Sequence, residues 1–188
     1  RLTSGVTIVV TAQFNPLTCT SFSAVLGSAG PTGAYRDFSG APLAGTWYVQ
    51  ALANKLAGTN LSANPDISAQ FNSQIGTAGC LDTSGWYYGL DHNAPSNRID
   101  LFAVVEHEIG HGLGFLSLVN TSTGAKAGAF DDAYMRNLED HSLGLAWPAM
   151  SNVQRLSSMT DNGDLHWIGA AATARTGQFS SGVASGHF

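Results

Sequence analysis

Residues His107-Glu108-Ile109-Gly110-His111 read H-E-I-G-H, which fits the pattern H-E-x-x-H. On an α-helix, residues four apart lie on one face, so the two imidazoles can hold one zinc ion. Glu108 stands between them and is expected to take a proton from the metal-activated water. The alternative is an exposed amphipathic helix that carries two histidines by coincidence. The pattern predicts a catalytic zinc helix with His107 and His111 as ligands.

The residues around this motif predict a half-buried helix over residues 100–113. Asp100 or Asn97 can cap its start, because a short polar side chain accepts hydrogen bonds from free helical N–H groups. Gly110 and Gly112 weaken the last turns, and their expected use is to allow another backbone to approach closely. Apolar side chains cluster just before the motif: Ile99, Leu101, Phe102, Val104 and Val105.

Length and composition predict one folded domain. The chain has 188 residues, 44% of them hydrophobic and 11% charged, which suits a single catalytic domain over residues 1–188. The net charge is -5 and there is no run of Lys or Arg, so nucleic acid is not an expected partner. No apolar stretch approaches the roughly 20 residues of a membrane span. The chain opens at Arg1 and is expected to be a mature or processed form, and a monomer.

Two cysteines bear on the compartment. Cys19 and Cys80 lack the close spacing of a zinc knuckle. One disulfide in a secreted, extracellular protein is the prediction, since disulfides persist in oxidising compartments. The alternative is a pair of buried free thiols in a cytosolic protein.

The hydrophobic pattern predicts an α+β fold. An N-terminal subdomain, residues 1–114, ends with the zinc helix, and residues 115–188 form a more irregular C-terminal subdomain. Residues 65–75 are the candidate edge strand for an extended substrate, with an interior strand as the alternative. Residues 27–40 are predicted to be loop. The remaining predictions are strands at 6–14, 22–26 and 86–90, and helices at 43–56, 131–138 and 151–158.

A catalytic zinc site usually has three protein ligands and one open position. The extended pattern H-E-x-x-H-x-x-G-x-x-H is matched here as far as Gly114, but Ser117 stands where its third histidine would be. The third ligand must therefore come from further along the chain. Spacing alone leaves several candidates open: His141, His166, His187, Asp131 and Asp132.

Residues 106–117, E-H-E-I-G-H-G-L-G-F-L-S, resemble metzincin-type zinc endopeptidases with an interrupted site, the leishmanolysin-like arrangement. The chain is more closely similar to secreted bacterial metalloproteases that often carry a protease-associated domain. This resemblance implies a metzincin-like zincin fold, with a mixed β-sheet and helices before the active-site helix. The other similar stretches are 26–31 (L-G-S-A-G-P), 36–42, 45–48, 51–58, 65–79, 86–91 (W-Y-Y-G-L-D) and 134–138.

The resemblance also implies a third ligand. In those relatives a Gly- and Ser-rich stretch leads to a Ser-His-aromatic element, and residues 179–188 resemble it with His187 at the histidine position. Gly186 replaces the serine. His166, Asp131 and Asp132 are the alternatives.

The family's methionine-containing turn is expected after the third histidine. Met150 and Met159 both precede His187. Either the chain stops before that turn, or His187 is not the ligand.

The predicted function is hydrolysis of peptide bonds in protein or peptide substrates, with one Zn²⁺ per chain. One alternative is a zinc amidase acting on other amide substrates, and another is a secreted binding module without catalysis. No run of sequence matches a calcium loop, so calcium binding is not assigned to the candidate carboxylates Asp82, Asp91, Asp131 and Asp132.

Overall fold

The computed structural model describes residues 3–161 and 163–170. The fold is α+β, as the sequence predicts. Its helices are α1 (Gln50–Ala57), α2 (Leu101–Leu113) and α3 (Asn152–Ser158). Its strands are β1 (Val10–Asn15), β2 (Gly27–Pro31), β3 (Ala34–Tyr35), β4 (Thr46–Val49), β5 (Ile67–Asn72), β6 (Trp86–Tyr87), β7 (Ile99–Asp100), β8 (Asp131–Asp132), β9 (Leu138–Asp140), β10 (Leu145–Ala146) and β11 (Leu165–Trp167).

Helix α2 lies against a mixed three-stranded sheet with the order β1-β5-β2. Strand β1 runs parallel to β5, from Val10 opposite Ile67 to Asn15 opposite Asn72. Strand β2 runs antiparallel to β5 on the other side. The prediction that residues 65–75 form a sheet edge is therefore wrong, because β5 is the central strand and β2 is an outer one.

Helix α2 packs on one face of this sheet. Ile67, Ala69 and Phe71 alternate along β5 and are all buried, whereas Ser68 between them is exposed. A Cβ atom on Gly112 would lie 2.4 Å from Cγ2 of Ile67, so this glycine makes room for the Ile67 side chain and not for the backbone that the sequence predicted. A Cβ atom on Gly110 would meet nothing within 4 Å, so Gly110 does not make room for any of its described neighbours.

The chain also forms three smaller sheets. One of them joins the parts of the chain before and after α2, because β4 pairs with β3 and also with β8. In the second, β6 and β7 pair in parallel directly before α2. The third has the order β10-β9-β11 and covers a second core, whose buried residues are Val119, Tyr134, Met135, Leu138, Trp147 and Met150.

Several local predictions are wrong. Residues 22–26 form only an isolated bridge between Cys19 and Ala24, and Phe22 is 95% exposed. Residues 27–40, predicted as loop, contain β2 and β3, because pairing of β2 with β5 and of β3 with β4 outweighs the low strand preference of Gly, Ser and Pro. Residues 131–138 form β8 and a short 3₁₀ turn instead of a helix. The predicted helix at 43–56 begins later, at Gln50, after strand β4.

The predicted disulfide between Cys19 and Cys80 is confirmed, with a Cα–Cα distance of 5.2 Å. It joins the loop after β1 to the loop after β5. Cys80 is buried with Ile75 and Trp86, and Leu101 of α2 packs against the same cluster. The disulfide therefore lies in the cluster against which the first turn of α2 packs. In the described ranges, no helix is long and apolar enough to cross a membrane.

Candidate metal centre

Helix α2 is capped at both ends, which stabilises its first and last turns. The Asp100 carboxylate accepts hydrogen bonds from the backbone N–H of Phe102 at 2.9 Å and of Ala103 at 3.3 Å. At the other end Gly114 adopts φ 112°, a left-handed conformation that glycine reaches without strain. The predicted limits of this helix, and Asp100 as its cap, are confirmed.

The two histidines of the motif face each other on this helix. Their Nε2 atoms are 3.1 Å apart, and the ring centroids are separated by 4.7 Å at an interplanar angle of 88°. Nδ1 of His111 lies 2.9 Å from the carbonyl oxygen of Phe115. A carbonyl oxygen only accepts hydrogen bonds, so Nδ1 carries the proton and Nε2 of a neutral His111 presents its lone pair.

This spacing fits a shared zinc ion. Zn–N bonds are about 2.0–2.1 Å long, so two nitrogens on a tetrahedral zinc lie about 3.3 Å apart. The observed 3.1 Å differs from that value by about 0.2 Å. A hydrogen bond from Nε2–H of His107 to Nε2 of His111 gives a similar distance, and the zinc content of the protein distinguishes the two arrangements.

The side chain of Glu108 extends from α2 to Gly27, the first residue of β2. Its side chain is buried, with 9% of its surface exposed. A Cβ atom on Gly27 would lie 3.2 Å from Cγ of Glu108, so this glycine makes room for the carboxylate side chain. The sequence did not indicate this neighbour, because Gly27 falls in a stretch that reads as loop.

The third-ligand candidates occupy different places. His187 lies outside the described residues. His166, on β11, stacks on His141 at 3.9 Å with the rings only 18° from parallel. Within residues 3–161 and 163–170, no group of three His, Cys, Asp or Glu side chains is arranged to hold a metal. Of the candidate site residues, the described part of the chain brings together His107 and His111, with Glu108 on the same helix.

Asp131 and Asp132 both have structural partners. Asp131 forms ion pairs at 2.7 Å with Lys126 and with Arg136. Asp132 is 4% exposed and accepts a hydrogen bond at 2.7 Å from the hydroxyl of Ser117.

Asp132 also accepts hydrogen bonds from the backbone N–H groups of Leu118 and Met135, at 2.8 and 2.7 Å. Asp132 thus fixes the backbone that follows α2. Ser117, at the position of the missing histidine, takes part in this support.

Two further aspartates, Asp91 and Asp100, bind side chains of the segment that precedes α2. The hydroxyl of Tyr87 donates to Asp91 at 2.6 Å, and this hydrogen bond lowers the pKa of Asp91 and raises that of Tyr87. His92 reaches the helix cap Asp100 through Nδ1 at 2.9 Å. These contacts hold the segment before the helix against its N-terminus.

Comparisons of the chain with protein-family models, curated proteins and solved structures found no match. The metzincin resemblance accordingly rests on the motif and the stretches that accompany it.

Proposed function

We propose that this chain is a secreted zinc-dependent endopeptidase of the metzincin type. The observation that supports this most strongly is the pair of facing Nε2 atoms of His107 and His111, 3.1 Å apart on a capped helix. Nδ1–H of His111 donates a hydrogen bond to the carbonyl oxygen of Phe115, so the lone pair on Nε2 is free to bind a metal. The Cys19–Cys80 disulfide supports an extracellular location.

His107 and His111 would hold the zinc ion, with His187 as the proposed third ligand from the family resemblance. When bound, zinc supplies a Lewis acid that activates water and polarises a carbonyl group. Glu108 has the chemistry of the proton carrier, since a carboxylate can take the water proton and return it to the leaving amine. Its position, one residue after His107 and on the same helix, keeps it beside the metal ligands.

Strand β2 is the proposed substrate platform. It pairs only with β5 among the described strands, so its other edge offers backbone N–H and C=O groups to an added strand. Gly27 at its start adjoins Glu108. A peptide extended along β2 would pass the candidate base, whereas β5 is occupied on both sides.

The test combines metal analysis with cleavage of casein and of a peptide library. We expect about one zinc per chain, and cleavage that a chelator abolishes. Glu108→Gln should keep the zinc and the fold while lowering kcat by about 100- to 10,000-fold, because general-base catalysis is worth about that much. Near-normal turnover in this variant would refute the role of Glu108.

The two alternatives give different results in the same assays. Zinc-dependent hydrolysis of small amides, without cleavage of proteins or peptides, would indicate the amidase. Protein purified without chelator that contains no zinc and cleaves nothing would indicate a binding module.

A further inference from the structure

Gly27 occupies a position where a side chain has no room. It is the first residue of β2 and pairs with Phe71 of β5. A Cβ atom built on Gly27 would lie 3.0 Å from Cδ1 of Phe71, 3.1 Å from the carbonyl oxygen of Gln70 and 3.2 Å from Cγ of Glu108. Ordinary van der Waals contacts of a Cβ atom fall at 3.4–4 Å. A methyl group here would be too close to all three neighbours.

The backbone does not explain why this residue is glycine. Gly27 is not among the glycines with positive φ, so any L-residue could adopt its conformation. The available space is the remaining explanation.

Glu108 is the neighbour most able to move. The Gln70 carbonyl belongs to the backbone of β5, which is paired on both sides. Phe71 is 4% exposed and its ring contacts that of Phe14. Glu108 reaches Gly27 from a separate element, α2, and rotation about its Cα–Cβ bond alone moves the contacting Cγ atom. An added methyl group would therefore shift the Glu108 side chain by a few tenths of an ångström.

We propose that Gly27 is a positioning residue, whose missing side chain sets where the Glu108 carboxylate stands relative to His107 and His111. This inference rests on the proposed endopeptidase function. A misplacement of a catalytic group by about 1 Å can cost about 100-fold in rate, so a shift of a few tenths of an ångström should cost about three- to tenfold. The small shift expected here is large enough to slow proton transfer while leaving the metal ligands in place.

The test compares Gly27→Ala with Gly5→Ala. Gly5 lies outside β2, its φ is not positive and a Cβ atom on it meets nothing within 4 Å, so this variant carries the same change without the contacts to Phe71, Gln70 and Glu108. We expect Gly27→Ala to lower kcat about three- to tenfold, with KM and zinc content close to wild type. Gly27→Val should lower kcat further, and Gly5→Ala should match the wild type.

Equal kcat values for the two alanine variants would overturn the inference, as would a loss confined to KM or to zinc content. If Gly27→Ala does not fold, Gly27→Ala with Phe71→Leu opens space beside the new methyl group, and Phe71→Leu alone is its reference. Wild-type protein that binds zinc but cleaves no peptide refutes the proposed function instead. Active wild type with indistinguishable alanine variants refutes only the role of Gly27.

Discussion

Replacing Gly112 with alanine tests how closely α2 must approach the sheet. A Cβ atom at this position would lie 2.4 Å from Cγ2 of Ile67 and 2.7 Å from its Cδ1 and Cγ1 atoms. Ile67 is fully buried in the central strand, so it has no free space to move into. The helix must therefore shift away from the sheet, or Ile67 must leave its preferred rotamer.

Two opposing effects set the magnitude. Alanine is a better helix former than glycine, which favours the variant by about 1 kcal/mol. Overpacking a core costs about 1–3 kcal/mol, and a contact more than 1 Å too short in a buried site lies at the upper end. We expect a net destabilisation of about 2 kcal/mol. Gly110→Ala, which meets nothing within 4 Å, should instead stabilise the protein by about 0.5–1 kcal/mol.

The assay is urea unfolding of the disulfide-bonded protein at a fixed zinc concentration, because bound metal adds to the stability of the folded state. A double-mutant cycle with Ile67→Ala isolates the contact. Truncating Ile67 alone costs about 2–5 kcal/mol, and adding Gly112→Ala to it should cost far less than in the wild type. If Gly112→Ala is as stable as Gly110→Ala, the inferred packing of α2 on β5 is refuted.

Three further predictions concern stability. Replacing Cys19 and Cys80 with serine should cost about 4 kcal/mol, because the bond closes a loop with a sequence separation of 61 residues; equal unfolding midpoints for wild type and variant under non-reducing conditions would contradict this. Asp100→Ala should lower the free energy of unfolding by about 1 kcal/mol, because it removes the helix cap. Asp100→Asn should keep most of the capping stabilisation. Burial raises the pKa of Asp140, but hydrogen bonds from Ser142 and Leu143 outweigh it and leave the pKa below its ordinary value. The folded state then binds this proton less readily than the unfolded chain, so the stabilisation is present above about pH 4 and is lost as pH falls through the lowered pKa. The stability difference between wild type and Asp140→Asn should therefore shrink between pH 6 and pH 2.5, and a constant difference would contradict the assignment.

The sequence alone predicted the parts of the site that depend on local spacing. The interval between His107 and His111 is one helical turn, and Asp100 and Gly114 carry their capping roles within a few residues of the helix ends. These features follow from helix geometry, in which each residue interacts mainly with those three or four positions away. The pairing of Cys19 with Cys80 was also predictable, since the chain has only two cysteines.

The tertiary structure decided what lies against that helix. Gly27 and its neighbours have weak strand preference, and only pairing with β5, some 40 positions away, makes them an outer strand. The same pairing places β5 in the centre of the sheet and brings Gly27 to Glu108. Asp132 read as a possible ligand, but its hydrogen bonds to Ser117, Leu118 and Met135 support the chain after the helix. Such contacts join residues that are far apart in sequence or lie in irregular segments. No helical or strand periodicity relates these positions to each other, so the sequence pattern did not predict the contacts.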